Sequence, residues 1–159
     1  MSSRFNRREM LANTALAGVG ILASRSAIGA EARSPNEKLN LAFVGAGGRG
    51  VANLNQLRSE NVVALCDVDG RRAGATFEKY PKARKFQDYR EMFDKMANGI
   101  DAVVVSAPNH IHTPASAMAM RLGKHVYCEK PLAHTVREAR VLAELAARNK
   151  LATQMGTQI

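Results

Sequence analysis

The residues with the clearest chemical purpose stand at positions 45–50, where Gly45-Ala46-Gly47-Gly48-Arg49-Gly50 spells G-x-G-x-x-G. Glycines at that spacing serve three needs. Gly45 permits a tight turn, Gly47 lets backbone approach a pyrophosphate, and Gly50 lets a helix pack close to the strand before it. Amides at the mouth of such a helix meet an anion with the positive end of the helix dipole. The candidate phosphate cradle is therefore Gly45, Ala46, Gly47, Gly48, Arg49 and Gly50. Seventeen residues beyond Gly50, Asp67 closes a second apolar run, placed to accept hydrogen bonds from the hydroxyls of an adenosine ribose. A carboxylate there repels a 2′-phosphate and favours NAD. Arg71 and Arg72 lie just downstream and offer such a phosphate a partner, so NADP stays open. Asp69 reads as a turn residue.

These residues need strands and helices to hold them, and the sequence alternates accordingly. Residues 39–44 form a short apolar run that ends at the glycines, the mark of a buried strand. A helix is expected over 48–59, a strand over 61–67, and a helix over 71–80 that Pro81 terminates. Asp88 is placed to cap a helix through Met92, Phe93 and Met96. A strand over 101–106 precedes Thr113-Pro114, which reads as an N-cap with proline at the first helical position of a helix to Leu122. A strand over 125–128 follows. Thr135-Val136-Arg137-Glu138 matches a capping box, with Val136, Ala139, Leu142 and Leu145 or Ala146 on one helical face to about Asn149. Residues 151–155 read as a last strand. Strands that alternate with helices and are buried on both faces indicate an α/β fold with a doubly wound parallel sheet of Rossmann type.

The chain has 159 residues and a formal net charge of +9, of which +7 lies beyond residue 32. The basic residues are scattered through expected helices, and no basic run is interleaved with stacking aromatics, so nucleic acid is not the expected partner. Cys66 and Cys128 fall near strand ends and read as small buried hydrophobes rather than a disulfide. Residues 1–32 read as an export signal: a positive segment, a short apolar stretch over 11–23, and small residues ending Ala30-Glu31-Ala32. That stretch is too short and too polar to span a bilayer, which takes about 20 apolar residues. Arg7-Arg8 before Met10-Leu11 resembles the twin-arginine signal, with departures at Asn6, Met10 and Ala12, so a periplasmic or otherwise exported location is expected. Residues 33–38, with Ser34-Pro35-Asn36, read as a linker, and 39–159 as the dinucleotide-binding domain.

Two further segments narrow the reading. Ser106-Ala107-Pro108-Asn109-His110-Ile111-His112-Thr113-Pro114 follows one strand, and Gly123-Lys124-His125-Val126-Tyr127-Cys128-Glu129-Lys130-Pro131-Leu132 contains the next. Together with the glycine loop, Cys66-Asp67-Val68-Asp69 and Met155-Gly156-Thr157-Gln158, they resemble the glucose–fructose oxidoreductase, inositol dehydrogenase and rhizopine-catabolism (Gfo/Idh/MocA) family. The resemblance covers 39–158, and Glu-Lys-Pro is its most specific element. It implies that Ala107, Pro108 and Asn109 line the nicotinamide half of the cofactor and that Glu129 contacts the nicotinamide ribose. It also implies that Lys130 is the catalytic residue, hydrogen-bonded to the substrate hydroxyl that loses its proton. Partial desolvation at a strand end would suit a lysine to such acid–base work. His110 and His112 make only two potential metal ligands, too few for zinc, and are expected to shape the cofactor loop; no metal is expected.

The resemblance further implies a second, α+β domain on an open antiparallel sheet that supplies the substrate pocket. None of it is encoded in these residues, so the chain is expected to be the nucleotide-binding half of a longer oxidoreductase acting on a sugar, cyclitol or related polyol, homo-oligomeric when full length. An apolar face should stand exposed where that domain meets the sheet. NAD-using glycosidases of the same superfamily resemble the chain in the glycine loop but typically lack Glu-Lys-Pro. A non-catalytic nucleotide-binding module is the remaining alternative.

Overall fold

Residues 37–157 are described by a computed structural model of the chain. The expected export signal, most of the linker, and Gln158 lie outside them. The apolar runs form strands β1 Asn40–Val44, β2 Asn61–Cys66, β3 Arg84–Phe86, β4 Ala102–Val105, β5 His125–Cys128 and β6 Thr153–Met155. Between them lie helices α1 Arg49–Gln56, α2 Gly70–Lys79, α3 Tyr89–Met96, α4 Asn109–Arg121 and α5 Val136–Arg148. All strand pairs are parallel, in the order β3-β2-β1-β4-β5-β6. The order reverses between β1 and β4, and the crevice beyond the carboxyl ends of those strands is where such sheets bind ligands.

Alternation along each strand sorts side chains into two cores. Ala42, Val44, Val103 and Val105 face Met92, Phe93, Met120 and Leu142 beneath α3, α4 and α5. Leu41, Phe43, Leu65 and Val104 face Leu54 and Ala73 beneath α1 and α2. With two helices among the described residues, the second face leaves a groove of about 470 Å3 over β4 and β5, lined in part by Leu39, Leu41, Ala102, Val104 and Tyr127. The edge strand β3, too short and charged to stand out in the sequence, presents exposed Arg84 and Lys85, which discourage another strand from pairing there.

Two helix starts, those of α3 and α5, follow their sequence signals, and at a third Asp69, expected as a turn residue, is the cap. Asp69 caps α2 by accepting from Arg71 and Arg72 amides, Asp88 caps α3, and Thr135 with Glu138 forms a complete capping box on α5. Two expectations are corrected. Helix α4 starts at Asn109 with Pro108 at the cap, so Thr113 and Pro114 lie inside it. Pro108 holds an extended backbone (φ −57°, ψ 149°) that leads directly into the helix, and the exposed position of Pro114 lets water satisfy the carbonyl that its missing N–H leaves free. Val136 is 76% exposed rather than packed, because the first residue after the cap points away from the face that buries Leu142 and Leu145.

Cys66 and Cys128 are buried and free, as expected. Burial, aided by the charges of Asp67, Asp88 and Glu91, pushes the Cys66 thiol from 9.0 up to about 12. Burial first, then Glu129, pushes Cys128 from 9.0 to about 11 despite a favourable contact with Ser116. Because both values are raised on folding, their stabilising effect is complete below the unfolded thiol value and is lost as pH climbs through the folded ones. Two results are therefore expected: near pH 8 a thiol-specific chromogenic reagent should react with the native chain about a hundredfold or more slowly than with the urea-unfolded chain, and the urea midpoint should fall as pH is raised above about 9. Equal rates in the two states would contradict the buried placement.

Candidate functional site

At the β1 carboxyl end the glycines do what their spacing demands. Gly45 has φ +92°, and a Cβ on it would stand 2.6 Å from backbone atoms of Ser106 and Ala107. A Cβ on Gly50 would stand 2.0 Å from the Gly45 carbonyl oxygen. No side chain fits at either place, so the loop, the start of α1 and the loop after β4 share one tight junction. Gly47 admits a neighbour the sequence did not show: a Cβ there would lie 3.2 Å from the Arg72 carbonyl oxygen.

Asp67 closes this loop from β2. Its Oδ2 accepts from the amides of Ala46 (3.0 Å) and Gly47 (2.9 Å), and its Oδ1 from the amide of Asp69 (2.9 Å). Two oxygens offer about four lone-pair sites, so three amides leave room for a ribose hydroxyl. The carboxylate thus shapes the glycine loop as well as facing the cleft. Of the two downstream arginines, Arg71 points to solvent, its side chain 97% exposed. Arg72 lines the cleft, its guanidinium 3.2 Å from where a Gly48 Cβ would stand.

The cleft encloses about 530 Å3. Gly45, Gly47, Gly48, Arg49, Asp67, Ala107 and Pro108 line it. Ala46 and Gly50 are buried behind the wall. Four helices begin around it. Asp69 and Asp88 place their own carboxylates at the starts of α2 and α3, whereas α1 and α4 have no side-chain cap and no acid in the first turn. An uncapped helix start presents amide donors without an internal anion, which fits a diphosphate beside α1. Sequence reasoning missed the outer wall, Gln87 to Arg90 after β3, because that strand was not recognised.

Glu129 sits at the end of β5, 4% exposed, and its Oε1 gathers three donors. Asn53 Nδ2 lies at 2.8 Å, Arg49 Nε at 3.2 Å and the Tyr127 hydroxyl at 3.3 Å. Asn53, itself buried in α1, also donates to Ser106 Oγ at 2.8 Å. Burial first, then the Glu129 charge, raises the Tyr127 phenol above its ordinary value and keeps it a donor. Asn53 was legible only as a polar residue on the helix face that carries Gly50 and Leu54. Asn109 and Lys130 are exposed and outside the cleft lining. The desolvation expected around Lys130 is therefore not supplied by the described residues. His112 is buried, its ring against Ala107 and Pro131 carbonyls, while His110 lines the cleft. Among the described residues no cluster of three or more His, Cys, Asp or Glu could hold a metal.

Comparison with known proteins places this geometry. Residues 39–157 match the Gfo/Idh/MocA model, an oxidoreductase family with an NAD-binding Rossmann fold. An inositol 2-dehydrogenase of Salmonella typhimurium is 32% identical over 124 residues, covering 74% of this chain and 36% of that protein. A glycosyl hydrolase family 109 protein of Solibacter usitatus is 31% identical over 150 residues, covering 84% and 34%. The crystal structure of an NAD-binding oxidoreductase from Klebsiella pneumoniae superposes with a TM-score of 0.64 at 31% identity, covering 76% of this chain and 34% of that one. The chain spans about a third of the length of the curated relatives it matches. Its glycine junction, parallel sheet order and family match agree: the chain belongs to the Gfo/Idh/MocA oxidoreductase family and carries that family's NAD-binding Rossmann fold.

Proposed function

We propose that residues 39–157 bind NAD in the cleft between the β1 and β4 loops, as the nucleotide-binding half of a dehydrogenase acting on a sugar, cyclitol or related polyol. The observation that carries this is the uncapped start of α1 beside a carboxylate held by the glycine-loop amides. In this reading the diphosphate takes the α1 amides and Asp67 takes the adenosine ribose. Ala107, Pro108 and Asn109 flank the nicotinamide, and Glu129, at the end of β5, meets its ribose. Bound NAD supplies a hydride acceptor. Lys130, exposed beside the buried Glu129, is free to hold and move the proton of a substrate hydroxyl. A substrate carbon must be held about 3–3.5 Å from the nicotinamide for transfer, a task for residues beyond these.

The sugar or polyol class is supported by the inositol dehydrogenase relatives. The family 109 relative supports a second reading, a glycosidase that uses the same cofactor, while Glu129-Lys130-Pro131 favours the dehydrogenase. We further propose a homo-oligomer for the full-length protein, and export of the folded protein through the twin-arginine signal at 1–32. No helix among the described residues is long and apolar enough to cross a membrane.

Calorimetric titration of the chain should show saturable NAD binding that is tighter than NADP binding. Asp67→Ala should weaken NAD about tenfold to a hundredfold, by loss of a charged hydrogen-bond acceptor, and narrow the preference because Arg72 then meets a 2′-phosphate unopposed. Unchanged affinity for both cofactors would remove Asp67 from the ribose site. A full-length version should reduce NAD with a polyol such as an inositol and leave aryl glycosides intact, and Lys130→Met should lower kcat about a hundredfold or more. Efficient aryl glycoside hydrolysis would select the glycosidase reading instead. In cells, replacing Arg7 and Arg8 together with lysine should retain the full-length protein in the cytoplasm; continued export would remove the twin-arginine proposal.

A further inference from the structure

The loops after β4 and β5 are joined twice, from opposite sides of the sheet. On the α1 side, Asn53 bridges Ser106 and Glu129, with 2.8 Å to each. On the α4 side, the ring of His112 bridges the next residue along in one loop and the second along in the other. Its Nε2 lies 2.8 Å from the Ala107 carbonyl oxygen and its Nδ1 lies 2.7 Å from the Pro131 carbonyl oxygen. Both partners are carbonyl oxygens, which only accept, so a ring nitrogen that carries its N–H donates to the loop it faces, and the ring packs between the two loops in either tautomer.

His112 is 1% exposed and its side chain does not reach the cleft surface, which rules out direct contact with a ligand there. It stands in the first turn of α4, immediately behind the segment 107–109. Lys130 lies between Glu129, pinned from the α1 side, and Pro131, pinned from the α4 side. Neither bridge is apparent from local sequence, since the residues joined lie 19 and 76 positions apart.

We propose that His112 is a positioning residue for the nicotinamide half of the cofactor site, fixing the Ala107–Asn109 loop and the Lys130–Pro131 turn at one spacing. The adenosine half is built from the glycine loop and Asp67, to which His112 makes no hydrogen bond; its Ala107 partner meets that loop only through backbone packing at Gly45, so the residue acts chiefly on the nicotinamide half. A role confined to general stability would affect both halves alike. The inference rests on the NAD reading above.

The test compares NADH with ADP, which keeps the adenosine and diphosphate and lacks the nicotinamide riboside. Calorimetry on the wild-type chain should show tighter binding of NADH than of ADP. His112→Phe keeps a ring and removes both ring nitrogens. It should weaken NADH about tenfold while leaving ADP affinity within twofold, and His112→Gln, whose side-chain amide restores N–H donation, should recover part of the loss. Should His112→Phe not fold, ¹⁵N-histidine spectra of the wild-type chain read the same point, because the His112 ring resonances should move on adding NADH and stay in place on adding ADP. Equal losses for both ligands, or a retained NADH advantage in His112→Phe, would overturn the proposal while leaving the cofactor reading intact. Failure of the wild-type chain to bind either ligand would overturn the cofactor reading, and this proposal with it.

Discussion

The structure depends on how closely α1 is allowed to approach β1. With a Cβ on Gly50 falling 2.0 Å from the Gly45 carbonyl oxygen, the helix sits where only glycine permits it. That approach brings Asn53 within reach of both Ser106 and Glu129, and so connects the first βα turn to the ends of β4 and β5. It also sets the start of α1, at Gly48 and Arg49, along the crevice that the reversal of strand order opens. Move α1 outward by the width of a methyl group, and the proposed diphosphate site and the brace behind Glu129 would be lost together.

Electrostatics completes what sterics begins. Every helix after β1 to β4 starts at the same edge of the sheet, so four positive dipole ends converge there. The chain answers two of them with Asp69 and Asp88 and leaves α1 and α4 without an acid. Asp67 is held by three amides in the same region, which keeps a carboxylate stable beside the site where a second anion is proposed. The ligand and the carboxylate do not compete for the same amides: Ala46 and Gly47 serve Asp67, while the diphosphate is assigned the start of α1.

The sheet, the glycine loop and Asp67 were legible because each is written locally: an apolar run, a spacing of glycines, an acid at a strand end. Asp88 and the Thr135–Glu138 box were legible for the same reason, since a cap and its helix are sequence neighbours. The start of α4 was misread because its cap is a proline with no side-chain acceptor, whereas Thr113-Pro114 copies the local signature of a start inside the helix. Strand β3 escaped notice because two of its three residues are exposed and charged. Asn53 and His112 carry roles that no local pattern records, for their partners are distant in the chain and meet only once the sheet is assembled.

The two halves of the cleft differ in how fully these residues build them. The adenosine side has walls, capped helices and a carboxylate tied down by three hydrogen bonds. On the side proposed for the nicotinamide, Glu129 and Pro131 are each held by hydrogen bonds beneath an exposed Asn109 and Lys130. A proton-transfer lysine in water gains nothing from desolvation, and a hydride acceptor open to solvent has no means of holding a substrate carbon in line. The fold therefore separates two tasks. In the proposed reading these residues recognise the dinucleotide and fix the base of Lys130, while enclosure of the reacting atoms is left to groups on the open side of the cleft.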